Sequence, residues 1–152
     1  MSEPDTTAAE RFEALLQRLE TQHRFSRVTA DRVEVFAAGA GDSVLLLTDA
    51  PQRCPEAWDI AVVLPEVVRA MAGRLRAGVA DPQASAPIAA RFGIGRFPAL
   101  LFQRDGHYVG SLEGMHDWAS LVPAVAALLA APLGRVPGIG IAVRAVPSTP
   151  CH

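Results

Sequence analysis

The chain contains no lysine and no asparagine, and only two of its 152 residues are cysteine. All 14 basic residues are therefore arginine, and 16 acidic residues bring the formal charge to −2. Without an excess of basic residues, nonspecific nucleic-acid binding is not expected. The two cysteines, Cys54 and Cys151, are too few for a disulfide scaffold or a cysteine-based zinc cluster. A chain of this length can bury a core that needs neither disulfides nor metal, and we expect no cofactor.

Long hydrophobic runs are also absent. The longest apolar stretch, 122–133, has twelve residues including two prolines, whereas a membrane-spanning helix needs about 20. The N-terminus is acidic and polar, which is the opposite of a secretory signal peptide. We therefore expect a cytoplasmic protein that does not insert into membranes, in which residues 1–8 form a disordered leader.

Hydrophobic patterning predicts strands that alternate with helices. The predicted helices cover 9–22, 30–38, 60–71, 84–92 and a last segment that starts near 116. The predicted strands cover 25–28, 43–48, 74–80, 97–103 and 107–112. The strand at 43–48 is wholly apolar, as expected for a strand buried on both faces. This order predicts one α/β domain over 9–131, with a central mixed sheet flanked by helices on both faces.

Several individual positions lead to specific structural predictions. Pro65 lies inside a helical stretch and should bend it, and Pro123 predicts a kink or a later start of the last helix. Thr29 is a candidate N-cap. Trp118 lies on an apolar helical face and is expected in the core. Residues 132–152 contain four prolines and three glycines without a helical stripe, and predict a flexible tail.

The element order, with a proline at the start of the hairpin's first strand, resembles the thioredoxin fold. The specific part is 92–102 (FGIGRFPALLF), which resembles the thioredoxin stretch that ends in a cis-proline, here Pro98. Thioredoxins carry Cys-x-x-Cys after the central strand, but this loop reads QRCPEA and has Cys54 alone. Because dithiol exchange needs an attacking and a resolving thiol, the resemblance does not extend to thioredoxin's activity. We expect no catalytic residues.

Three stretches carry a closer resemblance: the Asp-x-Pro-x-Arg-x-Pro-Glu pattern of 49–56, RFGIGRFPA over 91–99 and GSLEGMHDW over 110–118. They are similar to the HyaE/HupG family of hydrogenase accessory proteins. This resemblance covers roughly residues 10–131 and implies a non-enzymatic role in assembly. Such proteins look like chaperones for [NiFe] hydrogenases that bind the small-subunit precursor, including its twin-arginine signal peptide, before export. Some are linked to protection of that subunit from oxygen, and other hydrogenase accessory proteins are further implied partners.

The side chains of 49–66 suit a client of this kind. Four carboxylates and one arginine give this stretch a net charge of −3, and guanidinium groups pair well with carboxylates. Trp58, Val62 and Phe97 could contact the apolar run of a signal peptide, and an extended peptide could add to the backbone beside Pro98. We therefore predict a partner-binding site, without metal ligands, made of Asp49, Arg53, Cys54, Glu56, Trp58, Asp59, Arg96, Phe97 and Pro98.

Other interpretations of the same residues stay open at this point. Cys54 could be a reactive thiol at a helix N-terminus, which gives the alternative of a monothiol redox or sensor protein. Glu56 and Asp59 could be solvated charges that the helix dipole favours. Trp58 could cover the core instead of contacting a partner. A thioredoxin-like scaffold for some other partner is a third interpretation.

Overall fold

The computed structural model describes residues 4–114 and 116–137. Its helices are α1 (Pro4–His23), α2 (Val33–Ala37, preceded by a 3-10 turn at Ala30–Arg32), α3 (Glu56–Ala70), α4 (Pro82–Arg91) and α5 (Trp118–Ala130). Its strands are β1 (Ser26–Arg27), β2 (Asp42–Leu47), β3 (Leu75–Ala80), β4 (Ala99–Arg104) and β5 (His107–Glu113).

The five strands form one mixed sheet in the order β1-β3-β2-β4-β5. Strand β3 pairs in parallel with both β1 and β2, whereas β4 pairs antiparallel with both β2 and β5. The β4–β5 hairpin turns at Asp105 and Gly106, which both have positive φ as such a turn requires. This α/β architecture is the thioredoxin-like fold that the sequence predicts.

Helices cover both faces of the sheet, and the central strand β2 contributes to each side. Val44 and Leu46 pack in a core with α1, α3 and α5. Leu45 and Leu47 pack in a second core with residues of α2 and α4. All four side chains are fully buried. The wholly apolar run at 43–48 is thus confirmed as a strand buried on both faces.

Two helices begin earlier than the sequence pattern predicts. Helix α1 begins at Pro4, so residues 4–8 are helical rather than part of a leader; residues 1–3 lie outside the described part of the chain. Proline suits a first helical turn because its missing N–H is not needed there. Helix α3 begins at Glu56 rather than at 60, which places Trp58 and Asp59 in its first turns. Hydrophobic periodicity misses such turns because their sequences, PDTT and EAWD, carry no apolar stripe.

Other local expectations concern the prolines inside two helices and the position of Trp118. Helix α3 continues through Pro65, and α5 continues through Pro123. The prediction that Trp118 lies in the core is wrong, because its side chain is 50% exposed. Asp117 caps α5 by accepting a hydrogen bond from the Ser120 N–H, which makes Trp118 the first helical residue. The buried stripe of α5 begins only in the next turn, with Leu121 and Val125.

Thr29 stands at the N-cap position of the 3-10 turn, as predicted, but its side chain does not bond to the turn's backbone. Its hydroxyl donates instead to the Asp31 carboxylate at 2.6 Å. This hydrogen bond lowers the pKa of Asp31.

The predicted tail begins with a packed segment. Residues 132–137 form no helix or strand, but the Gly134 N–H donates to the Tyr108 carbonyl at 3.0 Å. This hydrogen bond joins residues 132–137 to the edge strand β5, and the flexibility of the tail stays a prediction. Residues 138–152, including Cys151, lie outside the described residues.

Arg27 on β1 joins α1 to the sheet through three carboxylates. Its guanidinium lies 2.8 Å from Glu13, 3.0 Å from Glu20 and 3.8 Å from Asp81. The hydrogen bond from Arg27 lowers the pKa of Glu13 below its usual value of 4.5. A carboxyl whose pKa is lowered by folding stabilises the fold above its unfolded pKa, and this contribution is lost as pH falls through the folded pKa.

We therefore expect Glu13→Gln to reduce the free energy of unfolding at pH 7 and to have little effect near pH 3. Because the Glu13 side chain is 45% exposed, the loss at pH 7 should stay below about 1 kcal/mol. Urea unfolding at both pH values measures this difference. Glu34→Gln, an exposed carboxyl on α2, is the matched control. A Glu13→Gln effect that is equal at the two pH values would contradict the assignment.

Candidate functional site

The loop that follows the central strand lies against the loop that precedes β4. The Sγ of Cys54 lies 3.4 Å from the carbonyl oxygen of Phe97. The Phe97–Pro98 peptide bond is cis, as the resemblance implies. Pro98 is buried. Its carbonyl accepts the N–H of Gly114 at 2.8 Å. The fold therefore joins two segments that the sequence places more than forty residues apart.

Cys54 is fully buried at the base of this site, with 0% exposure. It immediately precedes Pro55, the N-cap residue of α3. A reactive thiol must meet its substrate at an accessible surface. Cys54 is not a free thiol, and its sulfur contacts the cis-proline loop at the carbonyl of Phe97.

Asp49 and Arg53 form an internal pair within the loop. The Asp49 side chain accepts the Arg53 Nη2 at 2.7 Å and the Ala50 N–H at 2.7 Å. Its own side chain is only 11% exposed, whereas that of Arg53 is 67% exposed. The hydrogen bond from Asp49 raises the pKa of Arg53. These contacts hold the loop in shape and already compensate the charge of Asp49.

The start of α3 presents the remaining acidic and aromatic side chains. Glu56 and Trp58 are half-buried and Asp59 is exposed. Val62, one turn further along, is 54% exposed. Residues three apart lie on the same side of a helix, so Asp59 and Val62 form one outer face, which we call the α3 outer face. Glu66 continues it but is paired with Arg69 at 2.7 Å.

Trp58 contacts the core and also lines a surface pocket, so both interpretations of this side chain stay open. Its ring lies 5.9 Å from the ring of Phe12 on α1, so one side packs on the core. It also lines a surface pocket of about 340 Å³ together with Ala8, Arg11 and Pro51. An apolar side chain of a partner could therefore contact Trp58 without any rearrangement of the core.

Glu113 holds the cis-proline loop from the other side, a role that sequence reasoning missed. Its Oε1 accepts the N–H groups of both Gly95 and Arg96, each at 3.0 Å. The Arg96 guanidinium lies over Gly114, where an added Cβ would be 3.0 Å from the Arg96 Cζ. No local pattern predicts this contact, because Glu113 lies 17 residues from Arg96 in the chain.

Within the described residues, no group of three or more His, Cys, Asp or Glu side chains could hold a metal ion. In the same part of the chain, no helix has the length and apolar character needed to cross a membrane.

Sequence comparison supplies the family of the chain. The model of the family described as "Hydrogenase-1 expression protein HyaE" matches residues 15–121. The chain belongs to the HyaE family. The matched residues include both the loop after β2 and the cis-proline loop, so the HyaE match spans the whole candidate site. The family resemblance drawn from 49–56 and 91–99 is thereby confirmed.

Individual relatives agree with the HyaE assignment. A protein named "Hydrogenase expression/formation protein HoxO" from Cupriavidus necator is 42% identical over 141 residues, which cover 91% of this chain and 88% of the relative. A HupG protein from Bradyrhizobium diazoefficiens is 33% identical and covers 81% of this chain and 86% of its own. A HoxO protein from Azotobacter vinelandii is 34% identical, with 84% and 85% covered. Each is named a hydrogenase expression/formation protein.

Proposed function

We propose that this HyaE-family protein acts in hydrogenase formation as an assembly chaperone. It binds the small-subunit precursor of a [NiFe] hydrogenase through the twin-arginine signal peptide before export. The names of its relatives, hydrogenase expression/formation proteins, support the hydrogenase context. The proposed client is inferred from the α3 outer face, because this face offers an exposed carboxylate beside apolar and aromatic surface.

The chemistry of the α3 outer face matches the two halves of such a signal peptide. Arginine guanidinium forms paired hydrogen bonds with a carboxylate. Asp59 is the carboxylate available for this, because Asp49 is compensated by Arg53 and Glu66 by Arg69. Val62 and the outer side of Trp58 provide apolar contact for the run that follows the arginines. Cys54, just before α3, contacts the cis-proline loop, where an extended peptide could pair with backbone.

The position of Cys54 favours binding over catalysis. A monothiol redox protein needs a free and accessible thiol, whereas Cys54 is fully buried and is not a free thiol. The proposed mechanism is reversible association without covalent chemistry. The client must also be released before export, so we expect a moderate affinity that is limited by the dissociation rate.

Co-purification with the small-subunit precursor tests the proposal. The full chain should retain the precursor that carries its signal peptide and should retain the peptide-free subunit at least several-fold less. A precursor whose two arginines are replaced by lysines is the matched control, because lysine lacks the planar fork that pairs with a carboxylate. It should bind more weakly than the arginine form. If neither the precursor nor the mature subunit is retained, the proposed function is wrong.

A further inference from the structure

Among the strands of the described residues, β5 lies at the end of the sheet and pairs with β4 on one side only. Its seven residues extend over roughly 23 Å at the usual rise of a strand. The opposite edge strand, β1, has only two residues. A long open edge offers unpaired backbone groups to any other strand, so proteins usually protect it. The outer edge of β5 is therefore the place where this sheet could be extended.

Arg104, the last residue of β4, holds the C-terminal end of α5 near this edge by hydrogen bonds. Its guanidinium donates to the carbonyl oxygen of Ala131 at 2.7 Å and to that of Leu129 at 3.1 Å. Its Nε donates to Asp42 at 2.8 Å. These bonds fix the end of α5 beside the sheet, so that the residues after α5 start next to β5.

The following residues, 132–137, which we call the strap, then cross the edge of β5. The Gly134 N–H donates to the Tyr108 carbonyl at 3.0 Å. A Cβ at position 134 would collide with the carbonyl oxygen of Val109, so only glycine can approach the strand this closely. Further along, Pro137 packs against Gly93, just after α4. The strap thus runs from the α5 side of the sheet to the α4 side.

We propose that the strap occupies the outer edge of β5 and prevents this edge from pairing with the β5 of a second copy of the chain. An antiparallel pair of identical edge strands is self-complementary about a two-fold axis, so a second copy is the partner that an open β5 fits. The strap cannot itself serve as a new edge strand for a second copy, because Pro132 and Pro137 have no N–H to donate. This inference is independent of the proposed hydrogenase client.

Displacement of the strap tests the proposal. In the full chain, Gly134→Val introduces the collision with Val109 and should release the strap. Its mass by light scattering should be about twice that of the wild type at equal concentration, as for a two-fold pair. Arg135→Val is the matched control, since it adds the same side chain at an exposed neighbour. Gly134→Ala makes a smaller version of the same collision and should give the same change in mass. Folded Gly134 variants with the wild-type mass would overturn the proposal.

Amide exchange in the unaltered protein gives a second readout that does not depend on a variant. The Gly134 N–H should exchange at least about tenfold more slowly than the Arg135 N–H, because the former is bonded to Tyr108. Equal exchange rates at the two positions would show that the strap is not held on β5, and would also overturn the proposal.

Discussion

Replacing Asp59 by arginine is expected to weaken binding of the small-subunit precursor by at least about tenfold. Asp59 is the exposed carboxylate of the α3 outer face, and its reversal places two like charges together where the proposed complex has an ion pair. The fold should not change, because the Asp59 side chain projects into solvent. Isothermal titration with a synthetic signal peptide measures the effect directly.

Glu34→Arg is the matched control for this prediction. It makes the same change in net charge at an exposed carboxylate on α2, which covers the other face of the sheet. Its affinity for the peptide should equal that of the wild type. Equal weakening by both variants would indicate long-range electrostatic attraction instead of a site on α3, and no weakening by Asp59→Arg would remove Asp59 from the site.

Phe102→Ala should lower the free energy of unfolding by about 3–5 kcal/mol. Phe102 lies in the middle of β4, is 1% exposed, and packs in the core beneath α1, α3 and α5. Its removal leaves a cavity that the surrounding strands and helices cannot fill without moving. Urea unfolding followed by circular dichroism provides the measurement.

Val35→Ala is the control for the core prediction. The Val35 side chain is 62% exposed, so its truncation should change stability by less than about 0.5 kcal/mol. A Phe102→Ala variant as stable as Val35→Ala would contradict the packing described for β4. A change in the urea dependence itself would instead indicate an altered denatured state.

The sequence predicts the framework well because hydrophobic periodicity is a local signal. The buried run at 43–48 and the hairpin around Asp105 both follow from residues close together in the chain. The early starts of α1 and α3 do not follow from periodicity because their first turns, PDTT and EAWD, carry no apolar stripe. Trp118 was misplaced for a related reason, since the cap at Asp117 decides where the helical stripe begins.

The sequence predicts which loops form the candidate site, but it does not predict which of their charged side chains are paired. The pattern of 49–56 identifies the right loop, and the match at 91–99 identifies the cis-proline loop that meets it. The sequence cannot show that Asp49 is already compensated by Arg53, or that Glu113 holds the backbone at Arg96. It therefore overstates the acidity of the site, because the pairs Asp49–Arg53 and Glu66–Arg69 compensate two of its four carboxylates.

By itself, the sequence determined the α/β class, the family and the loop that carries one cysteine where thioredoxins have two. Those features depend on residue order and on periodicity within single elements. Only the tertiary structure decided that Cys54 is buried, that Asp59 stands exposed on α3, and that residues 132–137 cross β5. Burial, charge pairing and edge contacts depend on which distant segments meet, and that is set by how the whole sheet and its helices pack.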